Sequence, residues 1–354
     1  MNRSRRVAWF ALVALIAIGF GIFASRPTEP KYRGRPLSDW LVALQQAQGG
    51  KPDVEAMEAL QQLGTNAIPS LLEMLRQRDS RLKLKLMAWA GRQPLIPIKF
   101  EGASVAKWRA VVGFDVLQSA GAPAIPALVG MLNDADTSWP ALQCLARIGR
   151  PALTPLSQAV ANSNVNVRFH AVNLLGGLGR DDPPAVVPAL LRALKDDNDN
   201  VRRAAAFALG NLAQAPAPVV TALLETLTDS SPLVRSTGIQ ALGNFGAAAK
   251  SAVPALVDAV KSGDGGTAAQ VAHALMRIAP DAAVLALLEK LDDTNALIRR
   301  ATVDLLGELG PPAKSALPRL TVKSVADEDE QVRSAATNAI WKFNRSGPWS
   351  MRLK

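Results

Sequence analysis

Among 354 residues there is one cysteine, Cys144, and there are two histidines, His170 and His273. A single cysteine excludes an intrachain disulfide and any multi-cysteine metal site. Neither histidine sits in an HExxH arrangement, so no metal is expected. A glycine-rich phosphate loop, a GxSxG elbow and a Cys/His nucleophile pair are all missing. No catalytic residue and no cofactor is therefore assigned, and the chain reads as a non-enzyme. Aromatic residues make up only 5% against a hydrophobic fraction of 49%. The apolar mass is Ala, Leu and Val, the composition of closely packed helices rather than of sheets, which makes the expected class all-α. Cys144 itself stands in ALQCLARIG, an apolar helical pattern that suits a small core residue better than a reactive thiol. The acidic clusters at residues 196–199 and 327–330 fall where helices begin, and carboxylates are electrostatically favoured there.

A continuous basic surface is also lacking. The formal charge is +10, but residues 1–35 hold seven Lys/Arg against one Glu, and residues 342–354 hold four basic residues and no acid. Between them, residues 121–341 carry nineteen basic and twenty-one acidic side chains. Phosphate-backbone affinity scales with the phosphates neutralised, so a slightly acidic middle argues against a nucleic-acid partner.

One long hydrophobic run is present. Residues 7–24 contain no charge, follow Arg3, Arg5 and Arg6, and end before Arg26, Pro27 and Pro30. Eighteen helical residues span about 27 Å, close to the hydrocarbon thickness of a bilayer. The expectation is a single transmembrane helix in the cytoplasmic (inner) membrane, with the bulk of the chain on the outer, periplasmic side. The alternative is a cleaved signal that leaves an exported soluble protein. Cleavage after Ala24 would put Ile22 at the −3 position, which suits such a signal poorly, whereas cleavage after Gly21, with Gly19 at −3, is acceptable.

From about residue 54 the chain repeats itself. VRFHAVNLLGGLG from Val167, VRRAAAFALGNLA from Val201, VRSTGIQALGNFG from Val234, IRRATVDLLGELG from Ile298 and VRSAATNAIWKFN from Val332 are clear copies, and TAAQVAHALMRIA from Thr267 is a degenerate one. A period near 33 residues fits a pair of helices. Each copy is followed or preceded by a second segment such as NAIPSLLEML, PAIPALVGML or SAVPALVDAV, with apolar residues three and four apart. Gly64, Gly121, Gly149, Gly179, Gly246 and Gly310 are expected to end helices. Pro69, Pro126, Pro188, Pro254 and Pro318 are expected early in the following one.

The period, the Val-Arg opening of the second helix and the proline of the first resemble HEAT repeats, including the variety grouped with phycobilisome-lyase-type repeats. This resemblance implies a right-handed α-solenoid of HEAT-type helical hairpins. The expected organisation is an anchor or signal segment at 1–30, a lead-in helix at 31–53, the solenoid at 54–344 with an insertion at about 79–107, and a tail at 345–354. In the lead-in, Ser38 is expected as N-cap, with Trp40 and Leu41 buried. The insertion reads as a helix followed by an extended loop. Six residues before Arg202, Arg235, Arg299 and Arg333 stand Asp196, Asp229, Asp293 and Asp327; before Arg168 stands Asn162, and where Ala268 replaces the arginine, Ser262 replaces the acid. The family pattern implies a structural ladder in which these arginines bind carboxylates of their own or the neighbouring repeat.

In HEAT solenoids the second helices line the concave face. The resemblance therefore implies that its floor is formed by two rows: Asn173, Phe207, Gln240, His273, Asp304 and Asn338, and Gly177, Asn211, Asn244, Arg277, Glu308 and Lys342. Amides mixed with both charge signs suit a protein or peptide partner, with Phe207 as the candidate anchor. The expected function is a non-catalytic protein-interaction scaffold tethered to the membrane through residues 7–24. The alternatives are a chromophore lyase of the same fold and, behind it, a nucleic-acid-binding relative.

Overall fold

The computed structural model describes residues 29–46, 53–90, 101–213, 216–260 and 265–345. The hydrophobic run at 7–24, the expected extended part of the insertion at 91–100 and the tail from 346 lie outside the described residues. The chain divides into two compact units, Met1–Pro151 and Ala152–Lys354.

The described part of the first unit opens with a two-residue hairpin, β1 (Lys31–Tyr32) paired antiparallel with β2 (Arg35–Pro36). The Arg35 guanidinium lies 4.3 Å from the centre of the Trp40 ring. Helices α1 (Leu37–Gln46), α2 (Val54–Leu63), α3 (Ile68–Arg76), α4 (Arg81–Ala90), α5 (Ala103–Leu117), α6 (Ile125–Met131) and α7 (Ala135–Ile148) follow. Trp40 and Leu41 are buried between α1 and its neighbours. Ser38 does not serve as the N-cap. The helix starts one residue earlier, and both the Ser38 amide (2.7 Å) and its hydroxyl (2.9 Å) donate to the carboxylate of Glu29, which does the capping from upstream. Helix α5 runs through the middle of the unit. Gly113 on it admits Leu71, whose Cδ2 would lie 2.7 Å from any added Cβ. The 79–107 insertion holds α4, and its two ends are joined by Asp79, whose carboxylate accepts from the Ala103 amide at 2.9 Å and pairs with Lys83 at 2.7 Å. Cys144 is fully buried in α7, and burial pushes its thiol up to about 12.

The second unit is a run of helix pairs. The first helices are α8 (Leu153–Ala159), α10 (Pro183–Ala193), α12 (Pro216–Thr226), α14 (Val253–Ala259), α16 (Pro280–Lys290) and α18 (Leu317–Ala326). The second helices are α9 (Val165–Leu178), α11 (Asp199–Leu212), α13 (Pro232–Asn244), α15 (Gly265–Ile278), α17 (Ala296–Leu309) and α19 (Glu330–Arg345). Each second helix packs on the next, and the first helices form a layer behind them. Burying Val201, Ala205, Ala208, Leu209 and Leu212 on α11, and their equivalents elsewhere, joins the layers into one core.

Glycine and alanine set the spacing of the second helices. A Cβ on Gly210 would stand 2.7 Å from Ala241, and Gly176 meets Ala208, Gly243 meets Ala274 and Gly307 meets Ala339 in the same way. Between α15 and α17 the corresponding residues are Met276 and Leu305.

Several helix-end expectations need correction. Gly64, Gly149, Gly246 and Gly310 do take positive φ, but the equivalent turns after α5 and α11 are made by Gln118 (φ 45°) and Ala213 (φ 46°). Gly179 does end α9, at φ −74° with its amide donating to the Leu175 carbonyl at 2.8 Å, and packs against Val186, where a side chain would not fit; Gly121 instead lies inside the 3-10 turn after α5, against Phe114 and Ile148. Pro69, Pro126, Pro254 and Pro318 stand in the first turns of their helices. Pro188 does not, because α10 starts at Pro183 and so is helical where α3, α6 and α14 are preceded by a 3-10 turn.

Candidate protein-binding face and the arginine ladder

The turn between the two helices of a pair is built from side chains. Asp229 accepts from the Ser231 amide at 2.8 Å, and Asp196, Asp293 and Asp327 accept likewise from the amide two residues on, as does Asn162. The residue whose amide donates that bond is often the N-cap of the second helix: the side chains of Asn164, Asn198 and Asn295 each accept from an amide of its first turn, and Asp329 accepts from those of Gln331 and Val332. Sequence reasoning missed these caps. Their signal is a second Asn, Asp or Ser two residues after the ladder position.

The arginines then fasten one turn to the next. Arg168 reaches the Asp196 carboxylate with Nε at 2.7 Å and Nη2 at 2.9 Å; Arg202 reaches Asp229 with both at 2.8 Å; Arg299 reaches Asp327 at 2.9 and 2.8 Å. In each case Nη1 turns back to two carbonyls of its own turn, for Arg202 those of Asp196 and Asp197. The carboxylate partner thus belongs to the following repeat, and the partner in the arginine's own repeat is backbone. Arg235 donates to the carbonyls of Asp229 and Ser230 and not to the Asp229 carboxylate, and Arg333 donates to those of Asp327 and Glu328. Ser262, at the next carboxylate position after Arg235, lies outside the described residues. Asp293 has Ala268 where its arginine would stand.

Arg202 beside Asp229 holds that carboxyl below its usual range against the opposing effect of burial, and Arg299 does the same more strongly for Asp327. At Asp196 burial opposes ionisation most, but the bonds from Arg168 and the Asn198 amide outweigh it. These guanidiniums are largely covered, so they are structural ties rather than surface charges.

The two polar rows lie on the open side of the second helices. Asn173, Phe207, Gln240, His273 and Asn338 are exposed and Asp304 is half-buried; Gly177, Asn211, Arg277, Glu308 and Lys342 are exposed and Asn244 is half-buried. Five of them meet around one groove of about 440 Å³ over α11, α13 and α15: Phe207, Gln240, Asn244, His273 and Arg277. Thr237 and Gln270 complete its walls; they were legible as the residues three before Gln240 and His273. Its floor is Ala241, Gly243 and Ala274, the small residues that let these helices approach. Arg277 donates to Asn244 Oδ1 at 2.8 Å, which holds the guanidinium across the groove. Asn173, Asn211, Asp304, Glu308, Asn338 and Lys342 lie outside it. Glu308 pairs with Lys342, and Asp304 lies 3.8 Å from Arg300, while burial raises the Asp304 carboxyl. Among the described residues no three His, Cys, Asp or Glu side chains gather as a metal site.

Comparisons with known proteins bear on the fold. No curated protein matches the chain. Among solved structures it is similar to a designed armadillo-repeat protein in complex with the peptide (KR)4, at 20% identity over 62% of this chain and 99% of that one, with a TM-score of 0.29. It is also similar to a HEAT-like repeats protein from Thermococcus onnurineus NA1, at 13% identity over 62% and 97% with a TM-score of 0.39. A third likeness is to Kap95p solved with RanGDP, at 13% identity over 89% and 52% with a TM-score of 0.48. At these levels no partner or activity carries over. The family model of HEAT repeats matches residues 125–210, 153–242 and 220–291, so this stretch of the chain carries HEAT-type repeats.

Proposed function

We propose that the chain is a non-catalytic scaffold that binds another protein on the open face of its second helices, held to the cytoplasmic membrane by residues 7–24 with its bulk on the outer side. The groove over α11, α13 and α15 carries this reading. It is lined by the exposed Phe207 ring, the His273 imidazole, the Thr237 hydroxyl, amides and a single guanidinium above a floor of small residues, which is the composition of a protein contact surface. The uncharged eighteen-residue run behind three arginines supports the tether.

The test starts from the partner recovered with the full chain from detergent-solubilised membranes. Phe207→Ala combined with Asn211→Ala and Asn244→Ala weakens its binding at least tenfold while the melting temperature moves by no more than a few degrees. Unchanged affinity places the interface elsewhere and defeats this reading of the face.

A further inference from the structure

The groove's chemistry specifies more than a protein surface. We infer that it takes an extended peptide segment bearing a carboxylate, received by Arg277, and a large apolar side chain received by Phe207. This rests on the reading of the groove as the binding face.

Three observations converge. First, none of the described residues lining the groove is acidic, whereas Arg277 stands on its α15 wall. The bond from Nη1 to Asn244 Oδ1 fixes the orientation of that guanidinium and uses one of its five donors. A planar fork held in place matches a carboxylate in two-bond geometry. A single guanidinium, with Glu308 in the same row on α17, suits one negative charge better than the two of a phosphate. Second, Phe207 is 58% exposed on the opposite wall and offers a ready apolar platform inside the groove. Third, Gln240, Asn244 and Gln270 between them offer both donors and acceptors, the complement of an extended backbone.

The spacing sets the pattern of the occupant. Phe207 and Arg277 are on second helices two apart, and neighbouring helices pack 8–10 Å apart, which separates the two groups by roughly 16–20 Å. An extended chain rises about 3.3 Å per residue, so the apolar and acidic side chains of the segment are about five or six residues apart.

The experiment selects a phage-displayed library of random twelve-residue peptides on the full chain in detergent, in parallel with the Arg277→Gln and Phe207→Ala variants. On the wild type, Asp or Glu is enriched at least fivefold over its library frequency, five or six residues from an aromatic or Leu. On Arg277→Gln the acid returns to its library frequency while the apolar preference stays; on Phe207→Ala the apolar preference falls. Peptides enriched without an acid, or with an acid that persists on Arg277→Gln, overturn the inference and leave the groove as a binding face of other specificity. Enrichment of no peptide overturns the groove reading as well.

Discussion

Arg202 grips the carboxylate of Asp229 in the next repeat with two bonds of 2.8 Å, while its third nitrogen holds two carbonyls of its own turn. One side chain thus closes a turn and couples neighbouring repeats. A double-mutant cycle measures that coupling. Arg202→Ala and Asp229→Ala should each cost about 1.5–3 kcal/mol, since both break charge-assisted bonds at largely covered groups, and together they should cost at least 1 kcal/mol less than the sum. Arg235→Ala with Asp229→Ala should fall within about 0.5 kcal/mol of additive, because Arg235 uses the backbone carbonyl that survives the aspartate substitution. Denaturant unfolding gives both numbers, and equal coupling in the two cycles would contradict the assignment.

The ladder is interrupted at Ala268, and the glycine-alanine contact is replaced at the same step by Met276 and Leu305. Asp293 keeps its bond from the Asn295 amide and has no arginine in register. Ala268→Arg should supply the absent rung and raise stability by about 1 kcal/mol, with slower amide exchange in α15 and α17. Asp293→Ala should remove that gain. A gain that survives Asp293→Ala has another source.

Acid should loosen the second unit first at these ties. Arg202 and Arg299 hold the Asp229 and Asp327 carboxyls below their usual values. A depressed folded-state pKa contributes stability that is complete above the unfolded value of about 3.9 and is lost as the pH falls through and below it. The melting temperature should therefore drop steeply between about pH 4 and pH 2. Asp229→Asn with Asp327→Asn should be less stable at pH 7 and should show a shallower acid dependence. An unchanged slope would mean that other carboxylates control the transition.

The helix pairs were legible because a 33-residue period and a buried stripe report backbone and core together. The arginine and aspartate columns were legible too, since they come and go in step. Which repeat supplied the carboxylate was not, because the offset of six in sequence points to the wrong partner: Arg235 and Asp229 are neighbours along the chain, yet the fork that reaches Asp229 comes from Arg202, 27 residues upstream. Ser38 misled for a related reason. A serine at a helix start is the usual cap, and the carboxylate that displaces it, Glu29, is nine residues away. The two polar rows could be read from periodicity, but periodicity treats all repeats alike. The glycine–alanine contact recurs at Gly307 and Ala339, so what sets α17 apart from the groove over α11, α13 and α15 is its side chains: Asp304 and Glu308 are tied to basic neighbours there, and Met276 and Leu305 replace the small pair between α15 and α17.

The central claim is that the open face of the second helices is where another protein binds. Site-specific photocrosslinking tests it most directly, with a photoreactive phenylalanine placed in turn at Phe207 and His273 on that face and at Glu225 and Glu289 on the exposed side of the first helices. In intact cells the first two positions should give one and the same protein adduct, and the last two should give none. Adducts confined to Glu225 or Glu289 would put the partner on the opposite side and contradict the account.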